Sequence, residues 1–218
     1  MTQTALYHTD TSDLHIPHGM FRGVFGPAAG IVASVAPGDA ERVAAVSTYL
    51  DNVLRFLDAH HEGEDAVVWP RLSERCPDRL ALIATMEGDH AEVHALRGAA
   101  GDALQAWSQS PDSANRERLC SAMAALHGKL DAHFAEEERE VIPLASAHMS
   151  PEEWGQLPGH AMQHFSGDKL WLVLGLIINQ MTGEQRAAIL PHMPPPVLAM
   201  WEANRSAYDE LLARVRGN

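Results

Sequence analysis

The stretch HHEGEDAVVWP, residues 60–70, recurs in the same frame as HFAEEEREVIP, residues 133–143. In each copy a Glu follows the first His by four positions and a Pro follows it by ten. Side chains four residues apart lie on one face of an α-helix, so each copy places an imidazole and a carboxylate side by side. Two such helices that face each other can hold two metal ions between them. The paired residues are His60 with Glu64 and His133 with Glu137.

The segments around these stretches have the periodicity of amphipathic helices, with apolar residues at three- and four-residue spacing. They lack the alternating, β-branched pattern that is typical of strands. Short connections between helices make neighbours antiparallel, so we predict an all-α protein with an up-down-up-down four-helix bundle over residues 15–147. The turn signals are PGD at 37–39, CPD at 76–78 and SPD at 110–112. The predicted helices cover about 17–34, 39–70, 78–107 and 112–147.

Residues 148–218 form a second predicted region, composed of additional C-terminal helices. Ser150 followed by Pro151 and Glu153 has the pattern of a capping box, which marks the start of a helix. Three Trp residues make this region too apolar for a disordered tail. We expect its helices to pack on the bundle or to form an oligomer surface, and the sequence leaves both open. They cover about 151–164, 168–181, 184–190 and 197–215.

The composition disfavours several classes of partner. The formal net charge is −13 and the pI is about 5.3, whereas a nucleic-acid surface is basic and an anionic membrane attracts basic segments. The longest apolar run, LWLVLGLII at 170–178, is much shorter than the roughly 20 residues of a membrane span. The N-terminus lacks the segments of a signal peptide, so we expect a cytoplasmic protein. Cys76 and Cys120 have neither the number for a disulfide framework nor the spacing of a zinc site.

Each predicted helix of the bundle carries at least one side chain of a type that binds metal. Five His and two Glu are more ligands than one tetrahedral zinc ion takes, and a mixture of imidazole and carboxylate suits iron or manganese. Two bridging carboxylates would leave the five imidazoles as terminal ligands. A further oxo or hydroxo bridge would leave one coordination position open for a small molecule. The candidate ligands are His18, His60, Glu64, His90, His94, His133 and Glu137.

In this set a single His is followed by an HxxxE, an HxxxH, and a last His with a carboxylate four or five residues later. The pattern resembles the hemerythrin family, in particular its bacterial HHE-type cation-binding members, over about residues 15–147. The resemblance implies two iron ions in an oxo- or hydroxo-bridged diiron centre. By it, His90, His94 and His133 would bind one iron, His18 and His60 the other, and Glu64 and Glu137 would bridge.

The chain departs from the oxygen carriers of that family at the last carboxylate. Those proteins have Asp five residues after the His, whereas this chain has Glu137 at four and Glu138 at five. The frame shared with the first copy favours Glu137, and Glu138 is the alternative. Longer relatives are similar in carrying a C-terminal helical extension, but the resemblance implies no role for residues 148–218.

Four other histidines have less specific interpretations. His15 lies just before the proline at the predicted helix start and is expected outside that helix. His61 lies about 100° round the helix from His60, so we expect it near the ligands or facing solvent. His160 and His164 repeat the HxxxH spacing outside the bundle without a matching carboxylate pair, and we expect a surface or packing role for them.

The resemblance implies a protein that binds dioxygen or a related small molecule, for oxygen binding, oxygen sensing or a response to oxidative stress. Five imidazoles and two carboxylates favour this over the carboxylate-rich ferritin-like oxygenases. Two alternatives stay open: a diiron enzyme acting on hydrogen peroxide, nitric oxide or an organic substrate, and an interaction protein that responds to iron or oxygen. The expected partner is dioxygen or a peroxide-like molecule, with neither nucleic acid nor membrane. Formation of a homo-oligomer stays open.

Overall fold

Residues 7–217 are described by a computed structural model, and within this range the chain is helical and contains no β-strand. Four of the helices are long and form the predicted bundle, and shorter helices follow them, so the predicted all-α architecture is confirmed. The α-helices are α1 (His15–Ala33), α2 (Ala40–Val67), α3 (Trp69–Arg75), α4 (Leu80–Gln109), α5 (Ser113–Glu136), α6 (Ile142–His148), α7 (Pro151–Trp154), α8 (Gln156–His164), α9 (Leu170–Gln180), α10 (Gly183–Ile189) and α11 (Pro195–Arg216).

Short connections order the four long helices α1, α2, α4 and α5. The Asp39 side chain caps α2 by accepting a hydrogen bond from the N–H of Arg42, and Asp112 caps α5 in the same way through Asn115. Each cap satisfies one of the N–H groups that a helix start leaves free, and both lie in predicted turn signals. Helices α2 and α5 each pack against both α1 and α4, which is the arrangement of an up-down-up-down bundle.

A layer of polar side chains separates two apolar clusters in the interior. The larger cluster fills most of the bundle and continues into α9 and α11. The smaller one surrounds Trp69 and Leu72 and includes residues of α4 and α6. On α2, α4 and α5 the two clusters are separated by the intervals Leu57–Val67, Met86–Val93 and Phe134–Val141. Of the candidate ligands on these three segments, four fall in those intervals, His133 directly precedes the last interval and His94 directly follows the second; the four are His60, Glu64, His90 and Glu137.

The prolines of the repeated stretch both follow a local break in the helix. Helix α2 ends at Val67, and Pro70 occupies the second position of α3. In the second copy α5 passes into a π-helical segment, Glu137–Val141, and Pro143 occupies the second position of α6. A proline lacks the N–H that a continuous helix requires, so a helix must be re-started at this point. The apolar periodicity did not predict the π segment.

Helix α1 begins two residues before its predicted start. A short 3-10 turn, Ser12–Leu14, leads directly into His15, so the expectation that His15 lies outside the helix is wrong. Pro17 is then the third residue of α1. This position tolerates proline because the first four N–H groups of a helix have no partner within it.

The C-terminal helices cover one side of the bundle. The predicted capping box at the start of α7 is confirmed, since the Ser150 hydroxyl accepts from the N–H of Glu153 at 3.3 Å and the Glu153 carboxylate accepts from the N–H of Ser150 at 2.9 Å. Helix α8 packs on α2, α9 packs on α1 and α2, and α11 packs on α2 and α9. Within residues 7–217, no helix combines the length and the apolar character that crossing a membrane would require.

A buried amide fixes the start of α9 against α2. The Asn52 side chain is fully buried; its Nδ2 donates to Oδ1 of Asp168 at 3.1 Å, and its Oδ1 accepts from the N–H of Lys169 at 2.9 Å. These bonds satisfy polar groups that would otherwise be costly to bury. They also fix the position of α9, which contributes buried apolar residues to the larger cluster.

We predict that Gly175→Ala destabilises the contact between α9 and α11. A Cβ atom at position 175 would lie 2.5 Å from Cζ3 of Trp201 and 2.6 Å from Cε2 of Tyr208. Overpacking of this kind costs about 1–3 kcal/mol, more than the roughly 1 kcal/mol that alanine gains over glycine in a helix. The free energy of unfolding, measured in urea, should therefore fall. Gly98→Ala in α4 is the control, because a Cβ there meets nothing within 4 Å; equal losses in the two variants would contradict the packing described.

Candidate metal centre

Six of the seven predicted ligand side chains come together in the polar layer of the bundle. All six are buried, and each of the four long helices contributes at least one of them. Glu137 lies outside these helices, because it is the first residue of the π segment. The six are His18 of α1, His60 and Glu64 of α2, His90 of α4, and His133 and Glu137 at the end of α5 and beyond. His94 is exposed and does not reach this cluster.

Glu64 lies between two groups of imidazoles, one of His18 and His60 and the other of His61, His90 and His133. Its Oε1 is 3.3 Å from Nε2 of His60, and its Oε2 is 3.5 Å from Nε2 of His90. Glu137 has a similar position, since its Oε2 is 3.4 Å from Nε2 of His18 and 3.8 Å from Nε2 of His133. Each carboxylate therefore contacts one imidazole of the first group and one imidazole of the second.

His61 occupies the place that the sequence pattern predicts for His94. Its ring stacks on that of His90 with 4.3 Å between the centroids. The ligand atoms lie within 4.8 Å of one another in each of two groups, which share Glu64. The groups are His61, Glu64, His90 and His133, and His18, His60 and Glu64.

The buried residues of α4 explain the exposure of His94. Inward positions on this helix recur at alternating spacings of three and four, which is the repeat of closely packed parallel or antiparallel helices. After His90 the next inward position is therefore Val93, and His94 falls on the flank. Arg97, at one position of this repeat, is half-buried, and Ala103, which lies beside the repeat, is buried in addition. The buried positions that follow the repeat are Ile83, Met86, His90, Val93, Ala100, Leu104 and Trp107.

The position of His61 follows from the surroundings of α2. A residue 100° round from His60 still faces protein here, because the ring of His61 lies 4.3 Å from that of His90 on α4 and 5.4 Å from that of His133 on α5. Leu54 and His61 are both buried and lie seven residues apart, which places them on the same face two turns apart. That spacing is the sequence signal that could have identified His61.

Outer carboxylates hold two of the imidazoles in orientation. Nδ1 of His18 lies 2.9 Å from Oε1 of Glu138, which also accepts from Nη1 of Arg22 at 2.6 Å. Although burial acts in the opposite direction, the hydrogen bonds from His18 and Arg22 lower the pKa of Glu138 to about 2. Glu138 is thus an ionised acceptor on the outer nitrogen of His18. The Glu138 carboxylate therefore lies on the outer side of His18 and not in the inner cluster, where the alternative would have placed it.

His90 has an equivalent support on the other side of the cluster. Its Nδ1 donates to Oδ1 of Asp65 at 2.7 Å, and the same oxygen accepts from Nε1 of Trp69 at 2.8 Å. Asp89 lies near His133, with 3.6 Å between its Oδ2 and Nδ1 of the ring. A carboxylate on the outer ring nitrogen fixes the tautomer and leaves the lone pair of Nε2 directed inward.

The inner polar atoms have no hydrogen-bond partner among the described residues. Buried polar groups are normally paired, so such a concentration needs an explanation. Two ligand atoms about 2.1 Å from one ion and separated by roughly 90–110° are about 3.0–3.4 Å apart, close to the separations above. The residues therefore fit metal ions. The unpaired atoms include Nε2 of His18, His60, His61, His90 and His133, both carboxylate oxygens of Glu64, and Oε2 of Glu137.

The electrostatics of the cluster are also those of a cation site. Burial lowers the pKa of His60 and His61 well below the ordinary value, and that of His133 to about 4, so these rings stay neutral and keep a free lone pair. Burial and the neighbouring Glu137 raise the pKa of Glu64 well above its ordinary value. Two carboxylates at one buried site repel each other, and a cation between them removes that repulsion.

Aromatic side chains enclose the cluster and a polar cleft opens towards it. Phe134 stacks on His18 with 4.1 Å between the centroids, and Trp69 lies 5.5 Å from His90. The cleft has a volume of about 360 Å³ and reaches His61 and His90. Its polar wall consists of Asp58, Glu62, Asp65, Glu87, His94 and Arg97.

The remaining histidines of the sequence analysis lie outside the cluster. Nδ1 of His15 is 3.6 Å from Glu138, and half of its side chain is exposed. The rings of His160 and His164 stack with 4.0 Å between the centroids. A Cβ atom at Gly63 would lie 3.5 Å from Nδ1 of His160, so this pair of rings packs on the outer face of α2.

Comparison with known proteins gives one match. A family model described as the hemerythrin HHE cation binding domain matches residues 9–164, more than half of the chain. The matched range contains the whole cluster and extends through α8. A search of curated proteins and a search of solved structures found no significant match.

Proposed function

The chain belongs to the hemerythrin HHE cation-binding family, and we propose that its buried cluster holds two iron ions that bind dioxygen or a peroxide-like small molecule. The observation that carries this proposal is the set of ring nitrogens and carboxylate oxygens that point inward without a hydrogen-bond partner. A mixture of imidazole and carboxylate suits iron, and the family is one of cation-binding domains.

The division of the imidazoles into two groups around Glu64 supports two ions rather than one. Glu64 and Glu137 are the proposed bridges, because the carboxylate of each lies near one imidazole of each group. The set still has five imidazoles and two carboxylates, with His61 in place of His94. We assign His18 and His60 to one ion and His61, His90 and His133 to the other.

The protein's own residues would orient the ligands and limit the access of water. Asp65 and Glu138 accept from the outer nitrogens of His90 and His18 and keep their Nε2 lone pairs directed inward. Phe134 covers one side of the cluster. Iron bound here would supply the redox chemistry of dioxygen binding. The domain division that we propose assigns this site to residues 15–147, with 148–218 as an extension that covers α1 and α2.

The polar cleft favours a second candidate function, an enzyme that consumes hydrogen peroxide. A reversible carrier is best served by a closed apolar pocket, whereas an enzyme needs access and acid or base groups near the site. The cleft offers both, because it reaches His61 and carries Asp58 beside Arg97, with 2.6 Å between Oδ2 and Nη2. Burial raises the pKa of Asp58, although Arg97 and His94 oppose this.

We predict that His61→Ala reduces the iron content by about one ion per chain, whereas His94→Ala leaves it unchanged. The reason is that His61 is buried against His90 and His94 is exposed. The measurement is metal analysis of both variants purified from iron-replete cells, with circular dichroism to verify folding. Loss of iron from the His94 variant alone would show that the ligand set follows the HxxxH spacing and would overturn our assignment.

For the unaltered protein we expect about two iron ions per chain. After reduction and exposure to air, an absorption band from dioxygen binding should appear and should fade when oxygen is removed. Optical spectra with parallel metal analysis provide the test. A protein that contains only zinc, or no metal after growth with abundant iron, would contradict the proposal. Iron without a reversible band would favour the enzyme.

The enzyme candidate predicts that obstruction of the cleft slows peroxide consumption. Ala91 is exposed and lines the cleft, so Ala91→Trp should lower the rate several-fold at unchanged iron content. Ala99→Trp is the matched control, because Ala99 is an exposed residue of the same helix outside the cleft. Equal rates for the two variants and the unaltered protein would argue against catalysis through the cleft.

A further inference from the structure

A second cavity lies between the C-terminal helices and the bundle, apart from the polar cleft. Its volume is about 220 Å³. Helices α8 and α9 form much of its wall, α11 contributes Val197, and α2 contributes Phe56 and His60. The imidazole of His60 therefore faces this cavity on one side, while its Nε2 lies 3.3 Å from Oε1 of Glu64 on the other. The cavity is thus separated from the cluster by a single side chain.

The wall of this cavity is almost entirely apolar. Among the described residues that line it, only Asp13 and His60 are ionisable, and Oδ1 of Asp13 accepts from Nε1 of Trp154 at 2.8 Å. Three methionines are also part of the wall, and their flexible thioethers adapt to ligands of different shape. They are Met162, Met181 and Met193.

We propose that this cavity is a binding site for a small uncharged apolar organic molecule, an arene or a short aliphatic compound, held against His60. Interiors are normally close-packed, so the walls of a cavity this size gain contacts when a ligand fills it. A cavity of about 150 Å³ holds benzene, and by proportion this one accommodates roughly nine non-hydrogen atoms. The inference is independent of which metal the cluster holds.

The charge of the wall determines the class of ligand. Within residues 7–217, no Lys or Arg lines the cavity to pair with an anion, and Asp13 would repel one. The formal net charge of −13 adds to that repulsion. A carboxylate of the same size as the neutral ligand would also lose its hydration on entry without a compensating partner.

The test is calorimetric titration of the purified, metal-containing protein with ethylbenzene and, separately, with benzoate. We expect saturable binding of ethylbenzene with a heat-capacity decrease, and at least tenfold weaker binding of benzoate. Ala161 is half-buried in the cavity wall, so Ala161→Phe should fill the space and weaken ethylbenzene binding at least tenfold. Ala187→Phe, at an exposed position of α10 outside the wall, should leave it unchanged.

A variant that enlarges the cavity keeps the test decisive if the filled variant does not fold. Met162→Ala should shift the preference from ethylbenzene towards butylbenzene at least threefold relative to the unaltered protein. The proposal is overturned by the absence of ethylbenzene binding, by equal binding in the filled and unaltered proteins, by an unchanged preference in Met162→Ala, or by benzoate binding as tightly as ethylbenzene. Metal content is measured in each sample, so a failure of the iron proposal remains distinguishable from a failure of this one.

Discussion

Glu64 lies between two groups of buried imidazoles, and neither of its carboxylate oxygens has a hydrogen-bond partner among the described residues. A buried polar group without a partner costs about 1–3 kcal/mol, and the cluster contains several. The two apolar clusters on either side of the polar layer contribute the burial that opposes this cost. Metal binding would remove the cost of the unpaired polar groups directly. Because the site is assembled only in the folded state, metal affinity would then be coupled to folding.

Helix α2 connects the cluster to both of its approaches. On the side of α4, His61 stacks on His90 and meets the polar cleft. On the side of the C-terminal helices, His60 and Phe56 meet the apolar cavity. The two neighbouring histidines thus face environments of opposite polarity. If α2 were packed on one side only, His60 would be exposed to solvent. The C-terminal helices therefore make the second face of α2 buried and apolar.

Local sequence signals predicted most of the helical framework. Ser150 is the predicted cap residue, and Asp39 and Asp112 cap helices that begin at the predicted turn signals, because a cap depends on a few neighbouring backbone groups. The π segment at Glu137–Val141 was not predictable in this way. There the backbone must accommodate Pro143, which lacks an N–H group. At the same place Glu137 faces the cluster and Glu138 contacts His18 and Arg22. Such a compromise depends on contacts between helices, and π segments often mark functional sites.

The bundle could be predicted from the sequence alone, and so could six of the seven side chains that the structure brings together, because His60 with Glu64 and His133 with Glu137 follow from the fixed periodicity of a helix. The presence of His61 in the cluster and the exposure of His94 become visible only in the tertiary structure. Spacing shows which side chains share a face of one helix, but not which flank of that face meets a neighbour. The packing of α4 turns Val93 inward and leaves His94 outside, whereas His61 is buried between α2 and the rings of His90 and His133 on α4 and α5.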